Sequence, residues 1–342
     1  MSEQHNAYYG SINDGLLSVA SGGAATAIST KIIENGGVVF GVGYSSDFMG
    51  AEYGYADSLE KLDFFKGSKY ITSRKEVLVE TGRMSVFEAV SQFLQQNRLV
   101  LFTGLGCDIY ALRHYLENNG VSTNALYCLD LICHGATFPY IQEAFIRNLE
   151  DIYQSKVVAF SVKNKKRGWL TPSLHAVFEN GKEYSKPFYD TDFGYAFDHY
   201  SKSGCWNCRF KGDNHLSDIT IGDHWGITEK DVGFNKNGVS VLIPHNEKGM
   251  NLVNMIQDNF TIYSCSVEEI IKSNPMYQYS RKPDINHDMF YETLKTEGLH
   301  KAVNNHRGVM SSLLLPIKRL ISSSMSPSVK KKVKSIVGRI HG

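Results

Sequence analysis

The feature that most constrains the fold is a pattern of short apolar strand, glycine turn and helix that repeats through the first half of the chain. A glycine turn at Ser21–Gly23 precedes apolar residues at helical spacing, namely Ala24, Ala27, Ile28 and Ile32. Buried strands are predicted at 38–42, 99–103 and 125–135, and a glycine turn and a helix follow the second. This repetition predicts an α/β lobe with a mostly parallel sheet.

Beyond residue 155 the pattern changes to one typical of antiparallel strands. Two strands are predicted at 157–169 and 173–185, the second with a turn at Asn180-Gly181. Two further strands follow at 218–227 and 239–246. With 342 residues, more than one hydrophobic core is expected. We therefore predict an α/β lobe at 1–154, a mixed or antiparallel lobe with α+β elements at 155–297 and a C-terminal tail at 298–342.

The tail is basic, because no acidic residue follows Glu297 while basic residues accumulate toward its end, namely Lys318, Arg319, Lys330, Lys331, Lys332, Lys334 and Arg339. Its two apolar stretches have amphipathic character. One interpretation is a solvated helix pair that packs a few apolar side chains. The other is a peripheral contact with anionic lipid or an acidic partner.

Charge and hydropathy exclude several classes of protein. Lys and Arg total 36 against 35 Asp and Glu, so no global field favours nucleic acid. Residues 1–15 lack the basic and apolar regions of a signal peptide, and no apolar run is long enough to span a bilayer. A cytoplasmic location is expected, with peripheral contact at the inner membrane face if the tail binds lipid. Thiols stay reduced there, so the six cysteines indicate packing, catalysis or metal binding.

Four of these cysteines stand in settings that suit a metal centre. Cys205 and Cys208 form a CxxC, which fits a redox dithiol, half of a zinc site or two cluster ligands. Cys107 and Cys133 stand in glycine-bearing turns at predicted strand ends, where α/β sheets build their sites. Four convergent thiolates suit an iron–sulfur cluster. The alternative is that all six are buried structural thiols, as we interpret Cys128 and Cys265.

From about Tyr8 to Gly249 the chain resembles the coenzyme F(420) hydrogenase/dehydrogenase beta-subunit family. The resemblance rests on ordered motifs, which are SGGAATA at 21–27, GSKY at 67–70, FTGLGCDIYALRHYL at 102–116, DLICHG at 130–135, KKRGW at 165–169, CWNCRF at 205–210, DITIGDHWGI at 218–227 and VSVLIPHNEKG at 239–249. It implies a 4Fe-4S cluster on Cys107, Cys133, Cys205 and Cys208. It also implies FAD in the N-terminal lobe, with contacts from Ser21, Gly22, Gly23, Ala24, Thr26, Lys69, Thr103 and Gly104.

Two departures from the family pattern bear on function. No cysteine precedes Cys107, whereas many relatives begin with a ferredoxin-like cysteine segment, so electrons are expected from a separate donor. The central turn reads Leu105-Gly106-Cys107-Asp108 where many members have Thr-Pro-Cys-Gln, which keeps the ligand and changes its neighbours.

The resemblance implies an oxidoreductase that takes electrons from a soluble donor, such as a ferredoxin-like protein or reduced deazaflavin, through the cluster to FAD. The reduced flavin is then expected to pass its electrons to an organic substrate, such as a lipid- or nucleotide-linked sugar of surface-polysaccharide biosynthesis. The alternatives are a coenzyme F(420)-dependent reductase, a non-catalytic relay subunit and a structural zinc module. His134 is the candidate proton donor, or else bonds a sulfur or carbonyl. Asp223 and His224 in GDHWG suit a structural turn closed by the Asp, and Asp130 suits a turn cap.

Overall fold

The computed structural model describes residues 6–283 and 286–307 and divides the chain into two compact units, Met1–Asp284 and Ile285–Gly342. In these ranges the strands are β1 Asn6–Ile12, β2 Val38–Tyr44, β3 Ala51–Ala56, β4 Glu76–Val79, β5 Gly82–Ser85, β6 Val100–Gly104, β7 Leu126–Leu131, β8 Val157–Asn164, β9 Ser173–Phe178, β10 Glu183–Pro187, β11 Ile219–Asp223, β12 Ser240–Pro244 and β13 Phe260–Ser266. The helices are α1 Ala24–Glu34, α2 Val86–Gln95, α3 Gly106–Asn118, α4 Pro139–Tyr153, α5 Asp192–His199, α6 Glu247–Met255, α7 Val267–Ser273, α8 His287–Glu297 and α9 Leu299–His306.

An eight-stranded mixed sheet organises the first unit, in the order β13-β1-β12-β11-β7-β6-β2-β3. The four central strands β11, β7, β6 and β2 are parallel, and the pairs outside them are antiparallel. The predicted α/β class is confirmed. The predicted boundary near residue 154 falls between α4 and β8, and strands from both sides of it share this sheet.

The sheet is apolar on both faces, because successive residues of its central strands point to opposite sides and both sets are apolar. Val39, Leu101, Leu129, Ile221 and Leu242 pack with α1 and α6 in one core cluster. The neighbouring residues of the same strands pack with α2 and α3 in a second cluster, namely Val38, Phe40, Val100, Phe102, Leu126 and Cys128. Two helical layers therefore cover the two faces of the central strands.

α1 forms where the glycine turn predicted it. Gly23 is the N-cap residue with a φ of 83°, a left-handed conformation that favours glycine. Ala24, Ala27, Ile28 and Ile32 lie on one stripe of the helix and are buried against the sheet. This packing fixes the start of α1 beside the end of β1.

A smaller sheet of order β10-β9-β8 carries the predicted hairpin, and its turn at Gly181 has a φ of 79°. β4 and β5 form a separate hairpin. The second unit contributes α8 and α9 to the described part of the chain. The amphipathic segments predicted in the tail lie outside the described residues. None of the helices in the described ranges combines the length and apolar character that a membrane span requires.

Candidate functional site

The candidate site lies at the carboxyl edge of the parallel strands. Gly104 ends β6, Leu131 ends β7 and Asp223 ends β11, so the segments that follow them emerge at the same edge. The turn at Ser21–Gly23 lies there too, because the Ser21 hydroxyl and the Gly22 N–H bond residues at the start of β12.

Cys107 is in the first turn of α3, and although the residue reaches solvent, the surrounding protein desolvates its thiol. The neighbouring Asp108 fixes this turn. Its Oδ2 accepts the Leu105 N–H at 3.3 Å and the Tyr53 hydroxyl at 3.1 Å, and Lys75 Nζ lies 2.8 Å from Oδ1. Asp108, which stands where many family members have glutamine, therefore has a structural role, since its carboxylate caps α3 and pairs with a lysine.

Cys133 follows β7 in a loop that Lys211 holds in place. The Gly135 N–H donates to the Cys133 sulfur at 3.3 Å, and the Lys211 ammonium donates to the carbonyls of Cys133 and Met276. Burial raises the pKa of the Cys133 thiol to about 11, against the opposing effect of Lys211. The thiolate is the form that binds metal. Since burial favours the neutral thiol, a bound cation would be needed to stabilise the thiolate of Cys133.

The CxxC loop approaches the Cys133 loop closely at one glycine. A Cβ built on Gly135, whose φ is 96°, would lie 3.2 Å from Cβ of Cys205 and 3.1 Å from Cβ of Ser201. The Cys208 N–H donates to the Ser280 hydroxyl at 2.9 Å. Gly135 in DLICHG thus allows the Cys133 loop and the CxxC loop to approach each other closely, which a side chain at this position would obstruct.

The four predicted ligands come together as one group. Burial and Asp108 raise the pKa of Cys107 to about 12, and the thiols of Cys133 and Cys208 add to the rise. Cys205 and Cys208 are likewise near enough to Cys133 to raise its pKa. Cys128, in contrast, is buried in the core, and Cys265 lies on β13 at the edge of the sheet.

Within the part of the chain that the structure describes, no three of these four sulfurs lie within 4.8 Å of one another. Tetrahedral zinc with bonds of about 2.3 Å holds its sulfurs about 3.8 Å apart. Among the described residues, the group of three or more candidate ligands whose donor atoms lie within 4.8 Å of one another is Asp130, His215 and His245, without a cysteine. Four cysteines set wider apart suit a polynuclear cluster better than one zinc.

His134 lies beside this group. Burial lowers the pKa of its ring to about 4, with Arg281 and Lys211 adding to the effect, so the ring is neutral near pH 7. Its ring has a tilted contact with Phe197, and the described residues offer it no hydrogen-bond partner. The alternative of a bond to sulfur or carbonyl is therefore not seen, and a neutral ring suits hydrogen bonding to a ligand better than proton donation as imidazolium.

The glycine turn before α1 is held by its own backbone contacts. Ser21 Oγ donates to the Val239 carbonyl at 2.9 Å, and the Gly22 N–H donates to Ser240 Oγ at 2.9 Å. Lys165, from the KKRGW motif, donates to the Ser21 carbonyl at 2.7 Å. The first N–H groups of α1, at 24–26, have no partner inside the helix, and Gly23 gives no side-chain cap. These groups, rather than the N–H of Gly22, are available for hydrogen bonding at this turn.

Asp223 anchors the neighbouring part of the edge. It pairs with Lys163 and accepts the Trp169 indole N–H at 3.0 Å. Burial would raise the pKa of this carboxyl, but Lys163, Trp169 and Ser21 together hold it below its ordinary value. The carboxylate therefore links β11 to β8 and to the loop after β8, a wider role than closing its own turn.

The other predicted flavin contacts lie in two places, Thr103 and Gly104 on a strand and Lys69 in a loop. Thr103 and Gly104 end β6, at the edge. Lys69 donates to the carbonyls of Phe65, Lys66 and Gly67 at 2.9–3.1 Å, so its ammonium hydrogens are occupied by its own loop. Burial lowers the pKa of Lys69 to about 7.

The structure also contains a buried polar cluster next to the thiols, which the sequence patterns do not predict. Asp130 bonds His215 at 2.8 Å across 85 residues of sequence, and Thr220 and His245 complete the cluster. Asp130 has the position of a turn cap in its motif, and His215 and His245 stand in no motif that would pair them. A polar cleft of about 510 Å³ is likewise not predicted; it lies at the end of β2 and is lined among others by Arg74, Arg83 and Arg147.

A mixed α/β sheet that presents a group of four thiols at the carboxyl edge of its parallel strands defines the class of α/β proteins that build their sites at that edge. The sequence profile for the C terminus of the beta subunit of coenzyme F(420) hydrogenase/dehydrogenase matches residues 97–269, which is more than half of the chain. The chain belongs to this family, as its motifs indicated, and is thereby related to electron-transferring oxidoreductase subunits.

The fold is also that of a solved structure. A chain of the F(420)-reducing NiFe hydrogenase complex from Methanosarcina barkeri matches with a TM-score of 0.53 and 15% identity, over 85% of this chain and 92% of that one. At this identity the likeness establishes the fold alone. A comparison with curated proteins finds no match.

Proposed function

We propose that this protein is an iron–sulfur flavoprotein with one 4Fe-4S cluster on Cys107, Cys133, Cys205 and Cys208 and with FAD bound beside it. The observation that carries the proposal is the convergence of these thiols from three separate segments of the chain. Two other cysteines lie apart, in a core and on a sheet-edge strand. The wide spacing and the purely thiol donor set fit such a cluster.

The flavin proposal rests on the start of α1. Backbone N–H groups at the beginning of a helix, together with the helix dipole, favour a phosphate. Ser21, Gly22 and Gly23 shape this turn, and Ala24 and Thr26 present N–H groups from it. Thr103 and Gly104 lie at the same edge of the sheet. Lys69 contributes by fixing the loop at 65–69 rather than by offering a free ammonium.

When bound, the cluster would supply single-electron transfer and the flavin hydride transfer to an organic substrate. The protein's own contribution is to hold the cysteine loops through Gly135, Lys211 and Ser280 and to place the neutral His134 beside them. His134 is positioned to hydrogen-bond a substrate or cofactor atom.

The proposed substrate is a sugar intermediate of surface-polysaccharide biosynthesis, carried on a nucleotide or lipid, and the proposed electron donor is a ferredoxin-like protein or reduced deazaflavin. The polar cleft supports a substrate of this chemistry. Its lining combines hydroxyl groups, which include Ser45, Ser46 and Thr72, with three arginines and three carboxylates, and two of the arginines pair with Glu52 and Glu143. Its volume of about 510 Å³ suits a small polar molecule.

A relay subunit without turnover of its own is the second candidate function. It is favoured by the structural similarity to a chain of a multi-subunit hydrogenase complex. A coenzyme F(420)-dependent reductase is the further enzymatic alternative. These candidates share the cluster and the flavin and differ in the partner that exchanges electrons with them.

Anaerobic purification tests the proposal, with iron, sulfide and zinc assays, extraction of flavin and an ultraviolet–visible spectrum. We expect about four irons per chain and released FAD. Reduction by ferredoxin followed by oxidation with sugar nucleotides, or with coenzyme F(420), then separates an enzyme from a relay subunit. A colourless protein that carries one zinc per chain would overturn the cluster proposal, and iron without flavin would overturn the FAD proposal alone.

A further inference from the structure

The buried polar cluster beneath the cysteine loops consists of Asp130, His215, Thr220 and His245. Asp130 is 1% exposed, Thr220 is fully buried, and the side chain of His215 is 5% exposed. His215 Nδ1 lies 2.8 Å from Asp130 Oδ2, and Thr220 Oγ1 lies 2.7 Å from His245 Nε2 and donates to Asp130 Oδ1. The two imidazole rings are stacked at 4.9 Å, and the ring of Tyr277 also stacks with that of His215, at 4.8 Å.

The donor set of one carboxylate and two histidines would suit a metal ion, but its geometry favours hydrogen bonding. The Thr220 hydroxyl occupies the centre, within 3.2 Å of His215 Nδ1 as well as close to Asp130 and His245. The Thr220 hydroxyl donates to Asp130 Oδ1 and accepts from the His245 imidazole, which pairs these three atoms without a cation. The other ring nitrogen of His215, Nε2, is buried without a hydrogen-bond partner among the described residues. Parallel stacked rings also direct their nitrogens side by side instead of toward one point.

This cluster joins the three segments that carry the proposed ligands. Asp130 lies near the end of β7, three residues before Cys133, and His215 follows the CxxC loop. A Cβ built on Gly106, the neighbour of Cys107, would lie 3.5 Å from Asp130 Oδ2 and 3.0 Å from Cβ of Phe210. The hydrogen bonds therefore lock the loop after Cys208 onto the strand that leads to Cys133, directly below the first turn of α3.

We propose that Asp130, His215, Thr220 and His245 form a positioning unit that fixes the ligand loops and, through the buried carboxylate of Asp130, lowers the reduction potential of the metal centre. This inference rests on the proposed cluster. A negative charge in a buried, weakly screened position disfavours the addition of an electron nearby. The hydroxyl of Thr220 and the Nδ1–H of His215 hold that charge in place.

The test compares matched variants of the full chain, purified anaerobically. Thr220→Val removes the central hydroxyl with little change in shape, Thr220→Ser retains it, and Asp130→Asn removes the charge. Thr293→Val is the control, since it removes another buried hydroxyl, one that bonds the Met289 carbonyl in the second unit. The measurements are iron per chain, the electron paramagnetic resonance spectrum of the reduced protein and the midpoint potential.

We expect Asp130→Asn to raise the midpoint potential by about 30 mV or more, a roughly threefold change in the ratio of reduced to oxidised protein for a one-electron couple. Thr220→Val should lower iron content or alter the resonance spectrum, while Thr220→Ser and Thr293→Val leave both as in the wild type. If Asp130→Asn does not bind iron, its potential is measured after reconstitution with iron and sulfide, and failure to rebuild any centre supports the positioning role.

Two outcomes would overturn the inference while leaving the proposed function intact. One is a wild-type spectrum and iron content in Thr220→Val, and the other is an unchanged or lowered potential in iron-loaded Asp130→Asn. Absence of iron from the wild-type protein would instead overturn the proposed function, so the two failures are distinguishable.

Discussion

The backbone N–H of Gly22 donates a hydrogen bond to the side-chain hydroxyl of Ser240 at 2.9 Å, which ties the turn before α1 to the first residue of β12. These residues are 218 positions apart in sequence. The turn is therefore part of the sheet edge, and its shape depends on a strand much later in the sequence as much as on its own glycines.

Replacement of Gly22 should destabilise the fold whether or not flavin is bound. A Cβ at this position would lie 2.3 Å from the Gly10 carbonyl oxygen and 2.4 Å from the Ser240 nitrogen, both backbone atoms. We expect Gly22→Ala to cost about 1–3 kcal/mol or more in the free energy of unfolding, measured by thermal or chemical denaturation. Gly204→Ala is the control, because nothing lies within 4 Å of its added methyl group. Equal stabilities would contradict the close approach at Gly22.

Single serine substitutions should separate ligand cysteines from structural ones. We expect Cys133→Ser and Cys205→Ser to lose most of the iron and to lower stability, because metal binding is coupled to folding. Cys265→Ser should keep the iron, since Cys265 lies on β13 at the sheet edge and is half-buried. Iron and sulfide assays on all three proteins give the answer. Loss of iron from Cys265→Ser with retention in Cys205→Ser would refute the ligand set.

Removing one partner of the buried pair of Asp223 and Lys163 should lower the stability of the fold more than replacing both. Asp223→Asn leaves the Lys163 ammonium, whose side chain is 9% exposed, without its counterion, and we expect a loss of about 3–5 kcal/mol. The double variant Asp223→Asn/Lys163→Met should recover part of that loss. Denaturation curves at pH 7 measure both, and a double variant less stable than the single one would contradict the pairing argument.

The same pair predicts a pH dependence with a definite sign. Although burial opposes it, Lys163 keeps the pKa of Asp223 below its ordinary value. A carboxyl with a lower pKa in the folded state stabilises the fold fully above its unfolded pKa of about 3.9 and ceases to do so as the pH falls through the folded pKa. The wild type should therefore lose thermal stability below about pH 4 more steeply than the double variant. Parallel melting profiles across pH 3–6 would show that the pair contributes nothing.

Lys69 should stabilise the protein independently of any cofactor. Lys69→Met removes the donor to three carbonyls, and we expect a cost of about 1–3 kcal/mol in protein stripped of flavin. Lys66→Met, whose lysine pairs with Asp63 at the surface, should cost little. If Lys69→Met matched the wild type without flavin but bound FAD more weakly, the lysine would be a flavin contact instead.

Sequence patterns predicted the local elements well. β2, β6 and β7 form at the apolar runs that predicted buried strands, and the turn at Asn180-Gly181 closes the predicted hairpin. These signals are local, because turn residues and apolar spacing act within a few positions. The four cysteines could be proposed for one site because each marks a strand end or a CxxC.

What the sequence could not predict depends on contacts between distant residues. Strand β1 pairs with β12 and β13, although its own pattern carries no information on partners more than two hundred residues away. The pairing of Asp130 with His215 is equally non-local, and neither residue shows unusual spacing. The resemblance implies Lys69 as a flavin contact, and only the path of the loop at 65–69 shows that its ammonium hydrogens reach carbonyls of that loop.

The position of β1 between β12 and β13 has a consequence for synthesis of the chain. β1 leaves the ribosome long before both of its partners, since they end near residue 266. At roughly 5–20 residues per second, that strand waits on the order of 12–50 s for its neighbours. During this interval its apolar face and both hydrogen-bonding edges are open, which makes the newly made N-terminal half a natural client for a chaperone.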